Sequence, residues 1–243
     1  MINLLLSLAA GLAVGLAVRL GTSFGWAGAV VPASIAATAA YLLLARRSWK
    51  QLEALFGETQ RELQAQKFDR AIQSLERGFS LAPWQFLVAS QLHAQLGVLH
   101  YVRKDFDEAL PHLEKSFSRH WVARAMLGAQ RWRQRDLAGM RKVLDEAVKS
   151  NKKEGLVWAT YAWLLDKEGQ HEEAVKVLGR GAAANPTDEK LKSALGALQN
   201  DKRLKLGKLY GEQWYQFHLE PPPPQAFGGG LPRGARRAIY GRR

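Results

Sequence analysis

The sequence predicts an all-α protein, with an N-terminal helical hairpin of membrane-spanning character followed by stacked helix pairs. Three observations carry this. Two long apolar runs open the chain. Behind them a pattern of small and large residues recurs at intervals of 31 and 34 residues. No strand pattern is evident between these features.

Met1 to Val18 is almost wholly apolar, interrupted by Asn3, Ser7 and two glycines. Phe24 to Ala45 is a second apolar run of 22 residues that includes Pro32. At about 1.5 Å per residue such a run reaches about 33 Å, enough for a hydrocarbon core of about 30 Å. Leu20 to Ser23 leaves room only for a turn. Residues 1–46 therefore read as a transmembrane hairpin. One competing reading is a cleaved signal peptide, but no Lys or Arg precedes Arg19 and a second apolar run follows directly. Another is a single span with the first run lying in the interface.

Small residues recur every fourth position in both runs: Ser7, Gly11 and Gly15, then Gly25, Ala29, Ala33 and Ala37. Such stripes let helix backbones approach closely in lipid. They can pack the two helices together or join two copies of the chain into a homo-oligomer. Arg46, Arg47 and Lys50 flank the second run, against Arg19 alone near the turn. The positive-inside rule then places residues 46 onward, and the N-terminus, in the cytoplasm. Trp26, Tyr41 and Trp49 sit where interfacial aromatic anchors belong.

Composition narrows the chemistry. The 243 residues carry a formal net charge of +13 and a pI near 10.1, which favours anionic partners. Cysteine is absent, which removes disulfides, thiolate metal sites and cysteine nucleophiles together.

The recurring pattern begins at Leu96-Gly97, with Phe106, Ala109 and Leu113 behind it. It returns as Leu127-Gly128 with Leu137, Met140 and Leu144. A third appearance is Trp158, Tyr161-Ala162, Gly169, Ala174, Leu178 and Pro186. An earlier copy runs from Leu52 to Pro83, with Phe68, Ala71, Leu75 and Gly78 in its second helix and a degenerate first helix. A fixed period of this length means stacked supersecondary units, each unable to bury its apolar face alone. Thr187 to Gln199 fits a capping helix, with Thr187 or Asp188 as N-cap. An insertion lies near Trp84 to Ser90, Met140 replaces the small residue of its copy, and Lys152 stands where a closing proline is expected.

From Leu52 to Gln199 the chain resembles the tetratricopeptide-repeat family, in layout its bacterial membrane-anchored type. The resemblance implies a TPR-like α-solenoid of about four helix pairs plus a capping helix over residues 47–200. It also implies a groove lined by the first helices that takes a peptide or a partner helix. By repeat register the groove residues are Phe56, Val98, Tyr101, Val102, Trp132, Arg133, Trp163, Asp166 and Lys167. Aromatic residues and Arg are common interface anchors. The competing expectation for these aromatics is core packing, and Trp158 is assigned to the core. The asparagines of carboxylate-clamping repeats are missing.

Arg119 to Lys153 holds ten Lys/Arg and three Asp/Glu. Arg131, Arg133 and Arg135 alternate, so a helix spreads them over several faces. Arg46, Arg47, Lys50, Arg131, Arg135, Arg236 and Arg237 are the candidate contacts to an anionic surface. Residues 201–243 form a third part. Asp201 to Glu220 is expected as a helix packed on the last repeat or lying in a membrane interface. Pro221 to Pro224 begins an extended stretch, and a basic Gly- and Arg-rich tail expected to be disordered follows.

Nothing marks an enzyme. His93 and His100 share a helical face but occupy packing slots. His171-Glu172-Glu173 opens a helix, where acidic residues suit the dipole. Nucleophile motifs and phosphate loops are absent, and no metal or other cofactor is expected. The sequence points to a scaffold that recruits a protein partner to the cytoplasmic face of the inner membrane, in envelope or secretion-machinery assembly. The alternatives are an RNA- or ribosome-associated or anionic-lipid-binding factor, using the basic third repeat and tail, and repeats placed outside the cytoplasm.

Overall fold

The computed structural model describes residues 1–22 and 25–223. Phe24 and the tail from Pro224, including Arg236 and Arg237, lie outside the described residues. Every element among the described residues is helical. The chain forms two compact units, Met1–Leu127 and Gly128–Arg243, with the division inside one helix.

The first unit opens with α1 (Ile2–Gly21) and α2 (Trp26–Gln64). Both are long and apolar enough to cross a membrane. Only 11% and 6% of their apolar windows are buried. The small-residue stripes face each other within the chain. A Cβ on Gly11 would lie 2.7 Å from Ala37 Cβ and 2.8 Å from the Ala33 carbonyl oxygen; one on Gly15 would lie 3.0 Å from Ala33 Cβ. Close backbone approach is what glycine provides here, and dispersion between the two helices is the return.

No break separates the apolar hairpin from the repeats at residues 46 and 47. α2 is one helix of 39 residues, and its last turns supply the first helix of the first pair. That is why this helix looks degenerate in sequence: a single segment serves the hairpin and then the core. Leu52 of α2 packs with Ala71 and Leu75 of α3 (Phe68–Arg77) and with Leu92 and Leu96 of α4 (Val88–Val102). A 3-10 turn (Gly78–Leu81) and a loop through Leu87 join α3 to α4, so the insertion expected near Trp84 to Ser90 falls in this loop and the first turn of α4. α5 (Phe106–Glu114) then pairs with α4.

α6 (Trp121–Arg133) carries the chain into the second unit. There follow α7 (Leu137–Ser150), α8 (Gly155–Lys167), α9 (His171–Ala184) and α10 (Glu189–Gln199). Asp188 rather than Thr187 is the N-cap of α10: its Oδ1 accepts from Lys190 N at 3.0 Å and Leu191 N at 3.1 Å. Trp158 is core, as assigned. It packs over Gly181, and its Nε1 donates to the Lys152 carbonyl at 3.1 Å. The Asn185 side chain donates to the same carbonyl at 2.7 Å, holding the Lys152 turn without the proline expected there.

The single helix expected over Asp201 to Glu220 is two short ones, α11 (Leu206–Tyr210) and α12 (Glu212–Tyr215). Gly211, at φ +59°, breaks them apart in a conformation that suits glycine.

One turn recurs down the chain. Gln66, Lys104, Arg135, Gly169 and Asp201 all have positive φ, and each follows a helix. At each, the left-handed residue's N–H bonds the carbonyl three residues back, as Arg135 N does to Trp132 O. The next N–H then reaches five back, as Asp136 N does to Arg131 O. This is the Schellman arrangement that satisfies the last carbonyls of a helix. Glycine fills it only at Gly169.

Candidate protein-binding surface

The small residues of the first helices meet leucines sixteen positions on. A Cβ on Gly97 would lie 2.8 Å from Leu113, and one on Gly128 would lie 2.7 Å from Leu144. Ala162 and Leu178, both fully buried, keep the same spacing. The repeated close approach fixes the rotation of each first helix and hence which of its residues face outward.

In the first unit, Phe56 and Val98 are half-buried and Val102 is exposed. Tyr101 is fully buried and meets Phe106 edge-on, with ring centroids 5.1 Å apart. Tyr101 is thus a core residue rather than an open anchor, because its ring fills the space between α4 and α5.

In the second unit, Trp132 and Trp163 do come together, with centroids 5.9 Å apart and planes at 71°. Trp163 is only 3% exposed, however. Its outward side is covered by Trp214 of α12, centroids 5.3 Å apart, and Trp214 in turn meets Phe217 at 6.0 Å. The chain's own C-terminal segment therefore lies on the aromatic face. Leu204, Leu206, Tyr210, Trp214 and Phe217 of this segment are buried.

Polar contacts fasten the segment. Arg133 donates to the carbonyls of Phe217 at 3.1 Å and His218 at 2.7 Å. Trp214 Nε1 donates to Glu220 at 2.9 Å. Glu168, a residue not singled out by register, accepts from Trp132 Nε1 at 2.6 Å. Lys167 stands over the Trp163 ring at 5.0 Å, and Asp166 accepts from His171 at 3.0 Å. The Asp166 carboxylate, foremost among several causes, holds the His171 imidazole above its ordinary pKa. Burial pushes the Tyr210 hydroxyl well above the usual phenol range.

The basic residues divide. Arg46, Arg47 and Lys50 are exposed on α2. Arg131 pairs with Asp136 at 3.5 Å and Arg135 with Glu168 at 3.5 Å. No group of three or more His, Asp or Glu that could hold a metal occurs among the described residues. His93 and His100 lie on a packed face, with His93 Nδ1 3.1 Å from His112 Nδ1.

The tetratricopeptide repeat family model matches residues 131–198, from the last turn of α6 to α10. No curated protein matches the chain. The chain thus contains a tetratricopeptide-type repeat region behind two apolar N-terminal helices. Stacked helix pairs of this kind present extended surfaces suited to protein–protein interaction.

Proposed function

We propose that this protein is a membrane-anchored scaffold of bacterial type, which recruits a protein partner to the cytoplasmic face of the inner membrane for envelope or secretion-machinery assembly. Its parts are the anchor (1–46), the repeats (47–200) and the C-terminal segment and tail (201–243). The observation that carries this is α2, whose 39 residues run unbroken from the apolar hairpin into the first repeat. A continuous helix transmits position: it holds the first repeat at a fixed height above the bilayer. The hairpin's internal packing through Gly11, Gly15, Ala33 and Ala37 supports a retained anchor. Arg46, Arg47 and Lys50 at its foot support the orientation.

The partner-binding residues proposed are Phe56, Val98 and Val102 in the first unit, and Trp132, Asp166 and Lys167 in the second. Tyr101, Trp163 and Arg133 serve behind them by shaping the surface. The internal pairing of Arg131 and Arg135 favours a protein partner over RNA.

The absence of cysteine makes the test direct, because every introduced thiol is unique. Thiols placed at Lys167 and Ser193 in the full chain should react with an impermeant maleimide only after the inner membrane is opened. Reaction in intact spheroplasts would refute the orientation. A photocrosslinker at Val98 or Lys167 should capture one protein in whole membranes, in a yield that resists salt and falls after Trp132→Ala. Salt-sensitive capture of RNA instead would refute the partner class.

A further inference from the structure

Where α1 begins, its first residues are bound to the inserted loop of the first unit. The Met1 ammonium and Ile2 N both donate to the Pro83 carbonyl, the latter at 2.9 Å, and Asn3 N donates to the Trp84 carbonyl at 3.3 Å. Beside these contacts lies a cavity of about 330 Å³. Leu44, Leu81 and Trp84 make most of its lining apolar, and Asn3, Arg47, Ser48, Gln51 and Ser80 add polar groups. This volume is within the range of small-molecule sites.

One atom in the wall lacks a partner. Asn3 is 2% exposed, and its Nδ2 donates to Ser48 Oγ at 2.9 Å. Ser48 spends its own proton on the Leu44 carbonyl at 3.1 Å, so it has none to return. Asn3 Oδ1 is left buried without a donor. A buried acceptor of this kind is costly unless something supplies a hydrogen bond. Arg47, on the same wall, makes no ion pair among the described residues.

We propose that this cavity binds the headgroup of an anionic phospholipid of the phosphoglycerol class. The phosphate sits against the Arg47 guanidinium, and a glycerol hydroxyl donates to Asn3 Oδ1. The inference rests on the membrane-spanning reading, which puts Asn3 and Arg47 at the headgroup level: α1 starts there, and Arg46 and Arg47 end the apolar run of α2. Trp84, a large exposed aromatic on the cavity lining, suits an interfacial position. A headgroup without a hydrogen-bond donor leaves Asn3 unsatisfied. An ethanolamine headgroup has a donor but brings its ammonium beside the Arg47 guanidinium. The glycerol headgroup meets both demands.

The test uses the full-length protein in mild detergent, offered phosphatidylglycerol, phosphatidylethanolamine and phosphatidylcholine in equal amounts and read by native mass spectrometry. Phosphatidylglycerol should be retained preferentially. Arg47→Gln should cut that retention about fivefold, the worth of one basic contact to an anionic surface. Arg46→Gln, with the same change of charge, should leave it nearly unchanged. Asn3→Leu should lose the preference for the glycerol over the ethanolamine headgroup. Ser48→Ala, which keeps Asn3 Oδ1, should preserve it. Equal retention of the three lipids, or equal losses in Arg46→Gln and Arg47→Gln, would overturn the proposal. So would displacement of the lipid by free glycerol phosphate. Alkaline extraction separates this from the parent reading. A chain released from membranes refutes the anchor itself, whereas one that stays embedded without lipid preference refutes only the headgroup site.

Discussion

Trp163 and Trp214 meet edge to face with ring centroids 5.3 Å apart, although 51 positions separate them in sequence. The first belongs to a repeat helix, the second to the C-terminal segment. Aromatic pairs in this geometry add to the area they bury. Trp214→Ala should therefore destabilise the second unit by about 3–5 kcal/mol, the usual range for emptying a buried aromatic site. Urea unfolding of the full-length protein measures it. Hydrogen exchange should show α8 and residues 204–217 losing protection together. A loss confined to α12 would mean that Trp163 does not depend on its cover.

Gly179 and Gly181 stand two residues apart on α9 and should respond in opposite directions. A Cβ on Gly179 meets nothing within 4 Å, so Gly179→Ala should gain about 0.5–1 kcal/mol from helix propensity. A Cβ on Gly181 would lie 2.8 Å from the Trp158 ring, which is fixed by its bond to the Lys152 carbonyl. Gly181→Ala should lose about 1–3 kcal/mol through overpacking. Thermal unfolding of the two variants decides it, and a shift of the same sign in both would contradict the packing described.

The helix pairs were legible because their spacing is a local property. Gly97, Gly128 and Ala162 announce close crossings wherever they recur, and Trp158 with Gly181 completes one of them. The C-terminal cover was less legible. Leu206, Tyr210, Trp214 and Phe217 mark an apolar face, but which surface receives it depends on the helix break at Gly211, which no periodicity encodes. For the same reason Trp163 reads as a groove residue until Trp214 is placed over it. The Asn3–Ser48 bond was hidden differently. Each residue appears as a lone polar interruption, and only the antiparallel hairpin brings them together. The repeated turn was missed at Gln66, Lys104, Arg135 and Asp201 because no glycine marks it.

Lys104 offers a test of that turn. Its φ of +70° strains a side-chain-bearing residue by about 1–2 kcal/mol relative to glycine's freedom. Lys104 forms no ion pair among the described residues, so its removal gives up little. Lys104→Gly should raise stability by a few tenths to about 1 kcal/mol, less than the full strain because glycine also gains freedom in the unfolded chain. Arg135→Gly should gain less, since Arg135 also reaches Glu168 at 3.5 Å. Calorimetry that finds Lys104→Gly destabilising would show that the lysine makes a contact this geometry does not contain.

The histidines give the two units opposite responses to pH. In the first unit, burial foremost and then the facing His112 hold His93 below its ordinary value of 6.5. Burial and then His100 do the same for His112, against a smaller upward pull from Glu76 and Glu108. With His93 Nδ1 3.1 Å from His112 Nδ1, one ring must accept from the other, so the pair cannot hold both protons there. The folded state binds fewer protons than the unfolded chain, and the stability this contributes is lost as pH falls from 6.5 through the lowered values. In the second unit, the bond to Asp166 raises His171, and its other nitrogen reaches the Leu198 carbonyl at 3.1 Å. That contribution is complete below 6.5 and is lost as pH rises through the elevated value. Hydrogen exchange at about pH 5.5 and about pH 8, corrected for intrinsic rates, spans both windows. Acid should loosen peptides from residues 93–113, while base should loosen those from 171–199. His171→Gln should abolish the second response and leave the first. If both regions loosen in acid alone, the His171–Asp166 contact does not bind its proton as the geometry requires.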